Sequence, residues 1–254
     1  MLDCDVEELN AHLFLKPIFI RAEVVLLPVP RVDENRCSFC GLCAEVCAFK
    51  AITVFMRTVL VFPELCHGCG ACSYFCPEKA IAEEGKPLGV VEAGLANGID
   101  FVQGRLTVGE PLASPLIRRV KEQMAAGAAV ILDAPPGTAC PVVETVKGSD
   151  FCLLVTEPTP FGLHDLALAV EMARKLDVPC GVVLNRAGLG DETIIDYCRG
   201  QGLPLLLTIP FAREIAGFYA RGLPLVEVVP QWREKFVQVG EEIKTKLKNR
   251  GRAR

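Results

Sequence analysis

Apolar residues fall in short runs along this chain, and the spacing inside each run separates strand from helix. Residues 18–30, rich in Ile, Val and Leu and closed by Pro28 and Pro30, predict a strand. Two shorter strands are expected over 51–55 and 58–62. Beyond residue 86 apolar strands alternate with helical stretches. Helices are predicted over 112–126, 162–176, 192–201, 211–221 and 231–248. Strands are predicted over 151–155, 181–184 and 205–209, with a buried strand over 128–132 that ends at Asp133. Such alternation predicts a parallel sheet covered by helices on both faces. Ligands of such sheets sit at the carboxyl ends of the strands. Those ends carry residues 133–137, 156–158, 185–186 and 210–211, mostly polar or Gly-rich loops.

Composition narrows the classes. A chain of 254 residues with 51% hydrophobic content can bury one large core or two modest ones. A net charge of −4 argues against general nucleic-acid affinity. The basic residues Lys244, Lys246, Lys248, Arg250, Arg252 and Arg254 read as a solvated helix end and tail. No apolar run reaches the ~18 residues of a membrane span, and residues 18–30 contain Arg21 and Glu23. The acidic start, Met1-Leu2-Asp3-Cys4-Asp5, lacks the shape of a signal peptide. Thirteen cysteines without an export signal predict a reducing, cytoplasmic setting in which thiolates serve metal.

Eight of those cysteines form two copies of one spacing. Cys37, Cys40, Cys43 and Cys47 repeat 29 residues later as Cys66, Cys69, Cys72 and Cys76, with Pro77 following. Bacterial ferredoxins hold two [4Fe–4S] clusters with this run, the fourth cysteine of each copy reaching the other cluster. Cys37, Cys40, Cys43 and Cys76 are therefore assigned to one cluster, and Cys66, Cys69, Cys72 and Cys47 to the second. A third cysteine at two-residue spacing has no place in a tetrahedral zinc knuckle. Gly41, Gly68, Gly70, Ala44 and Ala71 leave room for close backbone approach. The remaining Cys4, Cys140, Cys152, Cys180 and Cys198 read as small hydrophobes, with Cys140 set apart by its Pro-Pro-Gly loop. His67 lies inside a cluster loop, as a sulfur hydrogen-bond donor or a solvated side chain.

Together with these runs, the strand-end loops resemble the MinD/ParA/nitrogenase-iron-protein class of P-loop ATPases. The nearer resemblance is to MinD-like ATPases with an inserted two-cluster ferredoxin domain. The segment Leu2-Asp3-Cys4-Asp5-Val6-Glu7-Glu8 is similar to the end of the family's second strand, which implies that Asp5 faces the metal and the attacking water. Asp133-Ala-Pro-Pro-Gly137 looks like the Walker B and switch II segment. The resemblance implies that Asp133 orients Mg2+ through water and that Gly137 offers a backbone N–H near the terminal phosphate. Asn185-Arg186 looks like the adenine-recognition pair, with Pro210–Arg213 as the loop beside the base.

The expected architecture is an α/β fold, P-loop-like and N-terminally incomplete, with a small α+β ferredoxin insert. Its parts are an ATPase remnant over 1–30, the insert over 31–85, and the rest of the ATPase domain over 86–254. The Gly-rich phosphate loop with Lys-Ser/Thr is absent from this sequence. The single Gly-Lys, Gly85-Lys86, runs into Pro87, and Lys147-Gly148-Ser149 has the wrong order. In the family that loop precedes the segment like Leu2–Glu8. The expectation is an upstream segment lacking here; the rivals are a strand supplied by another polypeptide and a lost nucleotide chemistry. The functional expectation is electron transfer through two [4Fe–4S] clusters linked to a MinD-like domain. ATP and Mg2+ bind only if the missing segment is supplied, and hydrolysis is doubtful without it. The alternative is a carrier or scaffold for cluster assembly. A redox partner protein is implied, and the family resemblance adds homodimerisation as one assembly open to the chain.

Overall fold

The computed structural model describes residues 1–252; Arg254 of the basic tail lies outside the described residues, as do the side chains of Arg250 and Arg252. The chain forms two compact units, residues 1–9 with 17–133, and residues 10–16 with 134 onward.

The chain starts with β1 (Leu2–Asp3), then α1 (Ala11–Leu15), which belongs to the second unit. The first unit continues with β2 (Ile18–Val32), α2 (Leu42–Val46), β3 (Ile52–Phe55), β4 (Thr58–Val61), α3 (Ala71–Tyr74), β5 (Ile81–Ala96), β6 (Ile99–Leu106), α4 (Ser114–Lys121) and β7 (Leu132–Asp133). Its main sheet runs β2-β5-β6-β1-β7. β1 is parallel to β6 and β7, whereas β2, β5 and β6 are antiparallel. The sheet is therefore mixed rather than wholly parallel. The long strands β2 and β5 account for this. They pair from Ile18↔Leu95 to Val32↔Ile81, and beyond Gly89 they leave β6 and continue as a two-stranded ribbon. The cysteine module, with the β3–β4 hairpin, is borne at the end of that ribbon.

The β5–β6 hairpin turns at Asn97 (φ 48°) and Gly98 (φ 81°). Two successive left-handed residues make the turn whose twist suits a two-residue hairpin. One face of the sheet is covered by α4, whose Leu116, Ile117 and Val120 are fully buried against Leu2, Val6, Leu27, Leu88, Val91 and Val102. Burial of such a side chain stabilises by about 1.5–3 kcal/mol. Gly104 permits this approach: a Cβ there would lie 2.6 Å from Val120 and 2.9 Å from Val6. A half-buried ion pair, Lys86–Glu110 at 2.9 Å, ties the ribbon to the loop after β6.

The second unit contains α5 (Cys140–Val146), β8 (Cys152–Thr156), α6 (Pro160–Lys175), β9 (Cys180–Ala187), α7 (Thr193–Gln201), β10 (Leu205–Pro210), α8 (Arg213–Ala220), α9 (Leu225–Val228) and α10 (Pro230–Arg252). Its sheet, β10-β9-β8, is parallel throughout. Leu154, Val182 and Leu184 pack under Leu166 and Val170 of α6 and Ile194 and Cys198 of α7. Thr159 caps α6, accepting from Gly162 N at 2.9 Å, and Pro160 begins the helix where no N–H is needed. Gly202 (φ 66°) ends α7.

The expected buried strand over 128–132 is corrected. Only Leu132–Asp133 is strand, and Ile131 is two-thirds exposed. Among the described residues β7 is an edge strand paired only with β1, and β1 is itself two residues long, so nothing there sustains a longer ladder. The expected helix over 112–126 shortens to α4, and β5 and β6 are additional to the predicted strands.

Candidate metal centre and nucleotide-side residues

The two cysteine runs fold as near copies. In the first, Phe39 (φ 55°) and Gly41 (φ 82°) are left-handed; their counterparts are Gly68 (φ 64°) and Gly70 (φ 72°). These residues curl each loop so that backbone N–H groups turn inward. Phe39 N donates to Cys37 Sγ at 3.4 Å, and Gly68 N to Cys66 Sγ at 3.5 Å. The short helices α2 and α3 then carry Cys43 and Cys72. Each run leaves through a left-handed lysine, Lys50 or Lys79, after which Ala51 N donates to Cys47 Sγ and Ala80 N to Cys76 Sγ, both at 3.3 Å. A non-glycine residue held left-handed costs about 1–2 kcal/mol, so the conformation at Phe39 is imposed by the loop it completes.

Two hollows result. Cys37, Cys40, Cys43 and Cys76 line one, walled by Val32, Val54, Val59 and Ile81. Cys47, Cys66, Cys69 and Cys72 line the other, walled by Pro28, Pro30 and Ile52. Each ring thus takes three thiols from one run and the fourth from the other. Every cysteine is a free thiol. Burial pushes the Cys72 thiol up to about 11 and raises that of Cys43, and neighbouring cysteines add to both shifts. A cationic metal core offsets that penalty by holding the thiolate form. Among the described residues no three His, Cys, Asp or Glu side chains converge closely enough for a single metal ion. Zinc requires such convergence, at about 2.3 Å from each sulfur. A four-iron core takes one thiolate on each iron, and four cysteines line each hollow. His67 is exposed and stacked on Phe49, ring centroids 3.6 Å apart and 10° from parallel, at the rim of the second hollow.

Asp5 and Asp133 come together in the first unit. Asp133 is the register partner of Asp3, and Asp5 N donates to Asp3 Oδ1 at 3.1 Å. Burial raises the carboxyl of Asp133 above its usual range. Burial also raises Asp5, and the charges of Glu8, Asp133 and Glu7 add to it. Carboxylates gathered this way are relieved by a proton or a cation. Sequence reasoning missed Asp3 and Gln103, both buried and in register across β1 and β6. Gln103 Nε2 donates to Glu92 Oε2 at 2.8 Å.

In the second unit Asn185, Arg186 and Pro210 share one end of the sheet. Pro210 is in register with Ala187, and Phe211 N donates to Ala187 O at 2.9 Å. Asn185 Oδ1 accepts from Arg186 N at 2.9 Å, and Arg186 (φ 51°) pairs with Glu157 at 3.0 Å. Gly137 (φ 90°) is exposed in the loop before α5. Cys152 and Cys180 are half-buried register partners, while Cys4 and Cys198 are buried and Cys140 is exposed. No helix among the described residues is long and apolar enough to cross a membrane.

Comparison with known proteins bears on both parts. The family model for the 4Fe-4S binding domain matches residues 30–53 and 59–82, which contain all eight cysteines of the two rings. The uncharacterized protein MJ0578 of Methanocaldococcus jannaschii is 30% identical over 249 residues, 96% of this chain and 84% of its own length. The uncharacterized protein MJ0579 of the same organism is 30% identical over 228 residues, 87% of this chain and 78% of its own. Among solved structures, the cell division ATPase MinD of Pyrococcus furiosus aligns over 96% of this chain and 84% of its own, at 19% identity and a TM-score of 0.52. At that identity the likeness is one of fold alone, and the ferredoxin-like region rests on the family match over residues 30–53 and 59–82.

Proposed function

The chain belongs to the family of the uncharacterized Methanocaldococcus jannaschii proteins MJ0578 and MJ0579, and from that premise we propose that it is an electron-transfer protein holding two [4Fe–4S] clusters on a MinD-like domain. The observation that carries the reading is the crossing of ligands. Two rings of four thiols each borrow one cysteine from the other repeat, Cys76 for the first and Cys47 for the second.

Each bound cluster supplies one-electron chemistry, at potentials that span about −700 to +450 mV among proteins. The chain's own groups set where in that span it works. N–H donation from Phe39, Ala51, Gly68 and Ala80 stabilises negative charge on the ligating sulfurs and so favours the reduced state. Val32, Val54, Val59 and Ile81 on one side, and Pro28, Pro30 and Ile52 on the other, form the apolar walls of the rings, while Cys40 and Cys69 stay exposed at their open sides. Both rings share one apolar core with Ala51, Ile52, Ala80 and Ile81, so an electron has a short path between them.

On the nucleotide side, Asp5 and Asp133 are the residues that would face Mg2+. Gly137 would face the terminal phosphate, and Asn185, Arg186 and Pro210 the base. Asn185 and Arg186 are now engaged with each other and with Glu157, and nucleotide would have to replace those contacts.

Anaerobic reconstitution tests the reading. About eight irons per chain and reversible one-electron reduction without loss of iron are expected. Release of the iron to an apo-acceptor during reduction would make the clusters cargo and overturn it.

A further inference from the structure

β2 is the outermost strand of its sheet, and among the described residues no strand pairs with its outer edge. Proteins normally blunt such edges with proline, lysine, short length or a covering element. Here Pro17 and Pro28 bracket a proline-free and lysine-free stretch of the strand, whose pairing with β5 is irregular at two places, between Phe19 and Arg21 and between Val25 and Leu26. The stretch is apolar where it meets solvent: Ile18 and Ile20 are 75% exposed, Val24 59% and Leu26 54%. Four such side chains on one open edge form a surface that usually has a partner.

The stretch is complementary to itself when reversed. Antiparallel pairing of two copies about Ala22 places Arg21 opposite the partner's Glu23 and Glu23 opposite the partner's Arg21. The same register sets Ile20 against the partner's Val24. Directly opposed residues of an antiparallel pair share a face and interact. Arg21 and Glu23 both face α4 and the turn that follows it, where Arg21 meets Gln123 and Glu23 accepts from Arg119 at 2.6 Å. The pairing would therefore extend an existing row of alternating charge, Arg119, Glu23 and the partner's Arg21. Slipping by two residues in either direction brings Arg21 against the partner's Arg21, or Glu23 against the partner's Glu23. Slipping by one turns the side chains to opposite faces.

We infer that β2 is a dimerisation edge, on which a second copy of this chain adds its own β2 antiparallel about Ala22. The contact is isologous, closed by one two-fold axis, and joins two five-stranded sheets into a single one.

Light scattering on the cluster-loaded full chain, under anaerobic conditions and over a range of concentration, tests this. A dimer of about 55 kDa is expected, twice the 27.5 kDa chain. Arg21→Glu and Glu23→Arg each set like charges face to face twice per dimer and should weaken association about tenfold or more. The double variant R21E/E23R restores opposite charges and should return association to the wild-type level. A chain that stays monomeric, a dimer indifferent to both single reversals, or a double variant as weak as the singles overturns the proposal. Amide exchange in the wild type provides a reading that needs no variant. Exchange over residues 18–26 should slow about tenfold or more as concentration passes through the dimer range. Protection confined to any other segment overturns the proposal, and so does protection of this edge only by a different protein.

Discussion

Asp3 and Asp133 are register partners on the adjacent parallel strands β1 and β7, so two carboxyl groups share one end of the first unit's sheet. The consequence for stability follows from Asp133, whose carboxyl is raised by burial. An acid with a folded pKa above its unfolded value stabilises the fold fully below the unfolded value, about 4. That contribution is lost as pH rises through the folded value. Asp133→Asn should therefore raise the denaturation midpoint near neutral pH and flatten its dependence above about pH 4. An unchanged pH dependence in the variant would remove burial of Asp133 as its source.

The crossed rings predict a pattern of non-additivity. Cys37→Ala and Cys76→Ala should each remove the same cluster, lowering iron from about eight to about four per chain, and the pair together should do no more. Cys47→Ala combined with Cys76→Ala should abolish both clusters. EPR of the reduced protein and an iron count read this directly. Loss of different clusters in the Cys37 and Cys76 variants would replace the crossed assignment with a local one.

Packing of α4 on the sheet gives a third expectation. Leu116→Ala, at a fully buried position, should cost about 2–5 kcal/mol. Gly104→Ala forces a methyl group against Val120 and Val6 and should cost about 1–3 kcal/mol. Val120→Ala makes room for that methyl, so the double variant G104A/V120A should cost less than the two singles added. Strict additivity in chemical denaturation would mean that the two sites do not meet.

Residues 1–254 are expected to hydrolyse ATP no faster than background, because the sequence holds no Lys-Ser/Thr phosphate loop to neutralise the phosphates. Phosphate release measured with Mg2+ and ATP checks this. A turnover that disappears in Asp133→Ala would refute it.

The parts legible in the sequence were those whose chemistry is local. Cysteine spacing places eight thiols without knowledge of any distant contact, and left-handed Gly41, Gly68 and Gly70 were visible as glycines in the loops. The β8–β10 unit was legible too, because each strand and helix carries its own apolar period. The β5–β6 hairpin was not. Gly89, Gly94 and Gly104 interrupt its alternation, and Gly104 is there for the benefit of Val120 on a helix further along the chain. The pair Asn97-Gly98 was the one local signal of the turn. Asp3 and Gln103 acquire meaning only once β1 and β6 are neighbours, which no window along the sequence reveals. The length of β7 escaped for the same reason, since a ladder is limited by its shorter strand.

The two-stranded ribbon of β2 and β5 sets how far the cysteine module can be displaced by engineering. The module hangs from a cantilever rather than a tether, since the ladder of pairs in the ribbon is unbroken from Leu26↔Pro87 to Val32↔Ile81. Strand geometry then quantises its position. Two residues added to each strand would carry both rings outward by about 7 Å with their orientation nearly kept, whereas one residue added to each would invert every side chain of the extension. The clusters' distance from the sheet is thus adjustable in steps, with a parity that the ribbon enforces.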